Sequence, residues 1–399
     1  MMKSNYIKKL LNGAKVEWKK LGEVAELKRG RVIPKTYLKD NAGKYPVYSS
    51  QTINNGEIGK INTYDFDGEF ITWTTDGVNA GTVFYRKGKF STTNICGLIK
   101  IINTKELNYK YLFYWLSIEA KKHVYPGMGN PKLMSNQAAK IPIPILPLSA
   151  QQEIVRILDA FTEITKELKV EIKDRQKQYE YYKDKLLTPI KNNGKWFLNG
   201  KEVEWKKLGE VCGFQNGFAF KSSLFKDTGL PIIRITNIDG KNVNLTNAKH
   251  FDLSDYNNNN IKNCTANKGD ILIAMSGATT GKIGFYDYQY TSYINQRVGK
   301  FIPNEKILNN RYLYYYLLSK TEYIRMLSGG GAQQNLSSKN LMEKFQIPIP
   351  SLSMQQEIVH ILDTFIDLIA ELTTELKVRK KQYEYYKNKL LTSIEINDK

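Results

Sequence analysis

Asn and Gln side chains pair bidentately with adenine edges and Arg and Lys with guanine edges, while Ser and Thr hydroxyls bond either bases or phosphates. This sequence gathers such residues into short clusters. In its first half they are Lys28, Arg29 and Arg31; Ser49-Ser50-Gln51-Thr52; Thr74-Thr75; Thr92-Thr93-Asn94; and Asn130 with Lys132. In its second half they are Gln215-Asn216, Lys221, Arg234 with Asn237, Ser276 to Lys282 (with Thr279 and Thr280), Asn295-Gln296-Arg297 and Gln333-Gln334-Asn335. Any one cluster is compatible with a solvated loop. Together they describe two polar surfaces suited to nucleic acid.

Other chemistries are missing their residues. SGATTGKIG (Ser276–Gly284) has three residues between Gly277 and Gly281 where a nucleotide-binding P-loop has four, and Ile283 follows Lys282 where Ser or Thr would meet magnesium. Gly329-Gly330-Gly331 does not lead from a strand into a helix as a dinucleotide fingerprint does. His123, His250 and His360 form no zinc pattern with each other or with Cys96, Cys212 and Cys264, which are read as free thiols. There is no Asn/Asp-Pro-Pro-aromatic run of an amino-methyltransferase, and Glu171-Ile172-Lys173 lies on a helix as surface charge. No catalytic constellation and no metal site is expected.

The elements that must position these clusters occur twice. LNGAKVEWKKLGEV (Leu11–Val24) and LNGKEVEWKKLGEV (Leu198–Val211) share 12 of 14 positions at an offset of 187. Gln151–Thr188 and Gln355–Thr392 share 25 of 38 positions at an offset of 204, so the intervening segment is 17 residues longer in the second half. An Ile/Pro run precedes each long copy, and the first run continues through Leu146-Pro147. A short constant element, a variable domain and a long constant element therefore appear in sequence, then repeat.

The long elements contain no internal Pro or Gly and carry apolar residues at helical spacing. One stripe is Ile154, Ile157, Phe161, Ile164, Leu168, Ile172, Tyr179, Tyr182 and Leu186; the other is Ile358, Ile361, Phe365, Leu368, Leu372, Leu376, Tyr383, Tyr386 and Leu390. Two helices of about 57 Å are expected, capped by Ser149 and Ser353 and, being already tethered in one chain, paired with each other as an antiparallel coiled coil with pseudo-twofold symmetry, the alternative being that their seams serve a dimer. Gln151 and Gln355 open the repeated stretches and join the helix-packing set. The variable domains read as strand-rich, with strands near 68–75, 81–86, 97–102, 231–238 and 270–275 and helices at 107–118 and 311–327 whose tyrosines pack inward. The fold class is α+β, two mixed globular domains separated by two long helices. The expected boundaries are 1–147 and 203–351 for the domains, 148–190 and 352–394 for the helical spacers, 191–202 for a linker and 395–399 for a tail.

Charge separates along the same lines. The chain of 399 residues carries +20: residues 1–150 hold +12, residues 191–354 hold +9 and residues 395–399 hold −1, while 151–190 and 355–394 are neutral. That placement fits two nucleic-acid-facing domains on a neutral frame. The composition, 41% hydrophobic, excludes a disordered chain, and no apolar run approaches the roughly 20 residues of a membrane span. MMKSNYIKKLLNG has no apolar leader core, so a cytoplasmic protein is expected. A coiled-coil interaction protein and a structured-RNA-binding module remain the alternative readings.

The order of elements resembles the DNA specificity subunit of type I restriction–modification systems. The likeness rests on Ile143–Asp159 and Ile347–Asp363, on EWKKLGEV at Glu17 and Glu204, and on GDILIAMSGATTGKIGF (Gly269–Phe285) and INQRV (Ile294–Val298). It covers essentially the whole chain. The resemblance implies a non-catalytic subunit whose two target recognition domains each read half of a split site in double-stranded DNA. It implies two modification (methyltransferase) subunits bound through the helices, then restriction (translocase-endonuclease) subunits. S-adenosylmethionine, and ATP with magnesium for restriction, would belong to those partners. The family's contact residues carry over poorly because these domains diverge, so the DNA-contact candidates rest on residue type within the motif positions: Lys28, Arg29, Arg31, Ser50, Gln51, Thr74, Thr75, Thr93, Asn94, Asn130, Lys132, Gln215, Asn216, Lys221, Arg234, Asn237, Ser276, Thr279, Thr280, Lys282, Gln296, Arg297, Gln334 and Asn335.

Overall fold

The computed structural model describes residues 10–11, 13–127, 129–256, 259–329 and 334–392. Gln333, Gly330 and Gly331 from the clusters above, and the basic segment 1–9, lie outside them. Four helices organise the chain: α1 (Tyr109–Glu119), α2 (Leu148–Leu187), α3 (Asn310–Ser319) and α4 (Leu352–Thr392). The chain divides into two units, residues 1–169 with 374–399, and residues 170–373. Each unit therefore holds one variable domain, the adjoining half of its own long helix and the distal half of the other.

In the first unit, six strands form one sheet in the order Ala25–Arg29, Cys96–Ile101, Phe66–Thr74, Val83–Thr92, Ala42–Tyr48 and Glu57–Ile61. All neighbours are antiparallel except Ala42–Tyr48 against Val83–Thr92. Ile71, Trp73, Ile99, Tyr111, Leu112 and Trp115 are buried between sheet and α1, and the same core continues to Ile154 and Leu158 of α2 and Leu390 and Leu391 of α4. The second unit splits the corresponding sheet in two. One runs Cys212–Asn216, Val298–Pro303, Ile271–Ala274, Ile283–Phe285; the other Lys249–Phe251, Leu230–Ile233, Ser292–Ile294, Thr265–Ala266. Its core joins Tyr312, Tyr315, Tyr316 and Phe345 to Leu187 of α2 and Met354, Ile358 and Leu362 of α4.

The repeated sequence elements meet each other. Glu17–Lys20 pairs antiparallel with Pro142–Ile145, setting Trp18 opposite Pro144; Glu204–Lys207 pairs with Gln346–Ile349, setting Trp205 opposite Pro348. Prolines are tolerated because each ribbon has only two strands. Since Pro144 and Pro348 occupy one register, Leu146-Pro147 stands where the second copy has Pro350-Ser351 and is no insertion. Tyr111 donates its hydroxyl to the Pro144 carbonyl at 2.9 Å and Tyr312 to that of Pro348 at 3.0 Å.

Each long helix is pinned at its start by a fully buried glutamine. Gln151 Oε1 accepts from Asn108 N–H at 2.9 Å, while Nε2 donates to the carbonyls of Glu106 (2.7 Å) and Leu146 (2.8 Å). Gln355 repeats the arrangement with Asn309 N–H (2.7 Å), Ile307 (2.9 Å) and Pro350 (2.8 Å). One helical face further on, Asp159 accepts from Lys110 and Tyr114, and Asp363 from Arg311 and Tyr315.

Within each unit the helix halves pack antiparallel. Phe161 stacks on Tyr386 at 5.4 Å between ring centroids, and Tyr182 stacks on Phe365 at 5.4 Å, the same repeat positions with partners exchanged. Ile157, Leu168, Ile361, Leu368 and Leu372 are half-buried along these faces. Ile164 lies off the seam, 39% exposed, because Phe161, Thr165 and Leu168 follow the helical stripe there.

Three local expectations are corrected. The helices begin one residue earlier than Ser149 and Ser353, at Leu148 and Leu352, so the cap positions are Pro147, whose carbonyl accepts from Gln151 N–H at 3.1 Å, and Ser351, whose hydroxyl accepts from Met354 N–H at 3.4 Å. The helix expected over 311–327 breaks at Lys320 (φ −115°, ψ 17°) into α3 and Thr321–Met326. The segment 191–202 is a three-stranded meander continued from Ile190, with turns at Asn193-Gly194 and Asn199-Gly200 in which all four φ angles are positive, the conformation tight hairpins require.

Replacing Gln151 or Gln355 with Leu strands one buried N–H and two carbonyls. Each variant is expected to lose about 2–4 kcal/mol of unfolding free energy in chemical denaturation, with retained stability counting against the clamp. Burial pushes the Cys96 and Cys212 thiols up to about 12, so at pH 8 an alkylating reagent should label Cys264 ahead of both until the chain is unfolded.

Candidate nucleic-acid interface

Three loops build the same framework in both units. After the first strand of the large sheet a glycine sits against backbone: a Cβ on Gly30 would lie 1.8 Å from the Thr92 carbonyl, and one on Gly217 would lie 2.4 Å from that of Ile294. The next residue forms a parallel bridge, Arg31 with Thr93 and Phe218 with Asn295. There the second loop turns, closed by Cys96 N–H on the Thr93 carbonyl (3.0 Å) and Val298 N–H on that of Asn295 (2.8 Å).

The third loop carries the P-loop-like sequence. Gly77, Gly81, Gly277 and Gly281 have φ of 89°, 77°, 74° and 83°, which a side chain would strain. Gly81 N–H donates to the Thr74 carbonyl and Gly281 N–H to that of Ala274, both at 2.9 Å. A returning segment locks each loop: Gly77 N–H to the Pro131 carbonyl (2.9 Å) and Gly277 N–H to that of Gln334 (3.0 Å), beside the bridges Asp76–Lys132 and Ser276–Asn335. The glycine spacing of SGATTGK therefore serves a turn present in both domains. Most of the added length of the second domain precedes this loop, since Ile233 and Met275 stand 42 positions apart where Tyr48 and Thr75 stand 27 apart.

The sequence-derived residues gather on these loops. In the first unit Lys28, Arg29, Arg31, Gln51, Asn94, Asn130 and Lys132 are exposed and Ser50 is half-buried, whereas Thr74, Thr75 and Thr93 are buried. Thr75 Oγ1 donates to the Ile95 carbonyl at 2.7 Å, and Thr93 Oγ1 to Ser49 Oγ at 2.9 Å. Arg31 is held by Asp65 at 3.1 Å and by Tyr37, whose hydrogen bond is the leading cause that raises its pKa above the ordinary guanidinium value. Ser49, Gln51, Thr93, Asn94 and Ile95 line a depression of about 770 Å³ together with Lys35, Lys39, Glu57 and the apolar Val32, Ile33, Leu38 and Ile58.

In the second unit Asn216, Lys221, Gln296, Arg297 and Asn335 are exposed, and Gln215, Arg234, Ser276, Thr279, Lys282 and Gln334 are half-buried. Asn237 and Thr280 are buried: Asn237 accepts from Arg234 N–H at 3.0 Å, and Thr280 Oγ1 donates to the Gly277 carbonyl at 2.7 Å. Arg297 Nη1 donates to Asn335 Oδ1 at 3.2 Å, and Arg325 reaches Gln334 Oε1 at 3.4 Å. Gln215 donates to the Asn263 carbonyl.

Sequence reasoning missed Arg86. It is 2% exposed, its guanidinium centred 3.6 Å from the Tyr48 ring centroid, and it donates to the Asn55 carbonyl (2.8 Å) and to Thr72 Oγ1 (3.1 Å). Burial lowers its pKa from the ordinary value. It fixes the 53–56 turn beside Gln51. No local pattern marks it, because its partners lie on other strands. Glycines four apart recur at Gly77/Gly81 and Gly277/Gly281, a spacing that marks this loop in both halves of the sequence.

Gly81→Ala and Gly281→Ala should each cost about 1–2 kcal/mol through backbone strain. Asn335→Ala, at an exposed pair, should change stability by less than about 0.5 kcal/mol. Denaturant unfolding of the three variants checks both, and equal losses would refute the strained-loop account.

A family model for the type I restriction modification DNA specificity domain matches residues 14–174 and 200–379. A Mycoplasma pneumoniae protein named as a type I specificity subunit is 34% identical over 382 residues, covering 94% of this chain and 97% of its own. The type I restriction enzyme MpnII specificity subunit of the same organism is 42% identical over 177 residues, 43% of this chain and 53% of its own. Among solved structures, the S subunit of a type I restriction–modification system from M. genitalium superposes with a TM-score of 0.62 at 17% identity, covering 95% of this chain and 96% of that one. The HsdS subunit from Thermoanaerobacter tengcongensis does so with a TM-score of 0.53 at 18% identity, covering 96% and 97%. The loop framework stands twice in a chain matched twice by the same domain model, and the chain belongs to the type I restriction–modification DNA specificity family.

Proposed function

We propose that this chain is the sequence-specific DNA recognition subunit of a type I restriction–modification complex, directing adenine methylation and restriction performed by partner subunits. The observation that carries the reading is the doubled framework: two basic domains present the same three loops, each attached to a long neutral helix by the same glutamine clamp. Each domain takes one half of a bipartite site. Phosphate contacts from Lys and Arg position it, and side chains on the loops specify bases.

The helices set the separation of the half-sites and carry the protein partners. Ile164, Val170, Tyr181, Val378 and Tyr385 are exposed on them, with Tyr181 and Tyr385 at one repeat position. Apolar groups left in water along a helix suit docking of two modification subunits, one to each half of the repeat, with restriction subunits recruited afterwards. S-adenosylmethionine, and ATP with magnesium, act in those partners. This chain supplies recognition without a catalytic group.

Mapping methylated bases in cells with the gene intact and deleted tests the assignment. A single split adenine-methylated motif is expected to vanish on deletion. If coexpression of the chain with its modification partner methylates no DNA, the interaction-only or RNA-binding alternative takes its place. Inserting matched residues into both helices should lengthen the non-specific spacer and leave both half-sites unchanged; an altered half-site with an unchanged spacer would refute the ruler.

A further inference from the structure

One position of the shared framework carries opposite chemistry in the two domains. The carbonyl of Ile95 accepts from Thr75 Oγ1 at 2.7 Å, and that of Arg297 accepts from Met275 N–H at 2.9 Å, each from the residue where the strand enters the glycine loop. Both are the third residue of the turn that follows the parallel bridge. Ile95 and Arg297 are therefore equivalent. By the same alignment Val78 and Ala278 each follow the first loop glycine, and Val32 and Ala219 each follow the bridge.

In the first domain these positions are Val32, Val78 and Ile95, exposed by 70%, 94% and 41%. Ile53, 80% exposed, joins them through the hydrogen bond from Asn79 Nδ2 to Thr52 Oγ1 at 3.2 Å. Single exposed aliphatic residues are ordinary. Val32 and Ile95 line one depression, the Arg31–Thr93 bridge and the Thr75 hydroxyl tie their loops to the glycine loop, and Asn79 ties that loop to Thr52; branched side chains gathered in this way mark a contact surface. Exposed Lys28, Arg29, Lys35 and Lys39 stand on the same or adjoining segments. That basic setting calls for a polyanion, and the one apolar group a DNA duplex offers on its major-groove floor is the thymine C5-methyl. In the second domain Ala219 and Ala278 have nothing comparable to offer. Arg297 instead carries five N–H donors, one of them held by Asn335, in the fork geometry that matches guanine O6 and N7.

Resting on the reading that the chain recognises DNA, we propose that the first domain reads its half-site through apolar contact of Val78 and Ile95 with thymine methyl groups, while the second reads a guanine through Arg297.

The test uses the complex of this chain with its modification subunit, titrated against duplexes bearing the mapped site. Thymines are replaced one at a time by deoxyuridine, which removes only the methyl, and guanines by 7-deazaguanine, which removes only the N7 acceptor. Deoxyuridine is expected to weaken binding about fourfold per contacted methyl in one half-site alone. The double variant Val78→Ala/Ile95→Ala should bind thymine and uracil duplexes equally. In the other half-site 7-deazaguanine should weaken binding roughly tenfold at one position, and Arg297→Ala should be indifferent to that replacement. Tolerance of deoxyuridine at every thymine, or equal discrimination by wild type and double variant, overturns the apolar contact. So does a double variant that assembles poorly with the modification subunit yet keeps wild-type discrimination, which would make the patch a protein contact. Failure of the wild-type complex to distinguish the mapped site from a scrambled duplex is a separate result, and it overturns the DNA-recognition reading itself.

Discussion

The rest of the architecture hangs on a carboxamide with no water around it. At the start of each long helix a glutamine side chain takes one backbone donor and gives to two backbone acceptors, all from segments without regular partners of their own. Buried peptide groups left unpaired are costly, so the preceding loop, the end of the Ile/Pro strand and the first turn of the long helix can be buried together only in the geometry this side chain permits. Asn108 and Asn309, whose N–H groups reach the glutamines, also cap α1 and α3 through their own side chains. Domain, ribbon and helix are thereby fixed to one another within about one helical turn.

With the attachment settled by a few side chains, the loop tips are free to vary because the bonds that close each turn in both domains are backbone to backbone. The turn at Thr93–Cys96 and that at Asn295–Val298 close identically although only their backbones agree. A glycine at positive φ is the one residue type the loops insist on. Such a design separates shape from chemistry. The loop keeps its path whether its tip is Val78 or Ala278, and the turn keeps its path whether it presents Ile95 or Arg297. The likeness of SGATTGK to a phosphate-binding loop arises from this need for left-handed backbone rather than from any nucleotide chemistry.

The repeats, the long helices and the split of charge were legible because each is local: residue identity at a fixed offset, apolar spacing along one segment, net charge over a stretch. What stayed hidden is non-local. Nothing in EWKK or IPIP taken singly says that Trp18 faces Pro144, since that pairing closes over more than a hundred residues. Arg86 is equally silent, being defined by Tyr48, Asn55 and Thr72 on other strands and a turn. The helix break at Lys320 is not marked locally either, since buried residues stand at helical spacing on both sides of it, Tyr312 and Tyr316 before and Ile324 after. Two features were within reach. Asn193-Gly194 and Asn199-Gly200 are hairpin signals, and the paired glycines of the third loop recur in both halves. At the interface, polar type alone selected Thr74, Thr75, Thr93, Asn237 and Thr280, which the structure buries, and passed over the exposed aliphatic residues beside them.

That last contrast bears on how such a surface should be interpreted. A candidate list drawn from donors and acceptors assumes that recognition is polar, yet a duplex also offers methyl groups, and only geometry reveals which apolar residues stand where a base edge would lie. The doubled framework supplies an internal control that a single domain lacks. Residues that occupy one position in both domains and differ in chemistry are where the two half-sites can differ, and residues that agree, such as Gln151 and Gln355, are where the scaffold is held. Selection acting on the bases recognised can alter Ile95 or Arg297 without disturbing a single backbone hydrogen bond of the turn that carries it, whereas a change at either glutamine would disturb three.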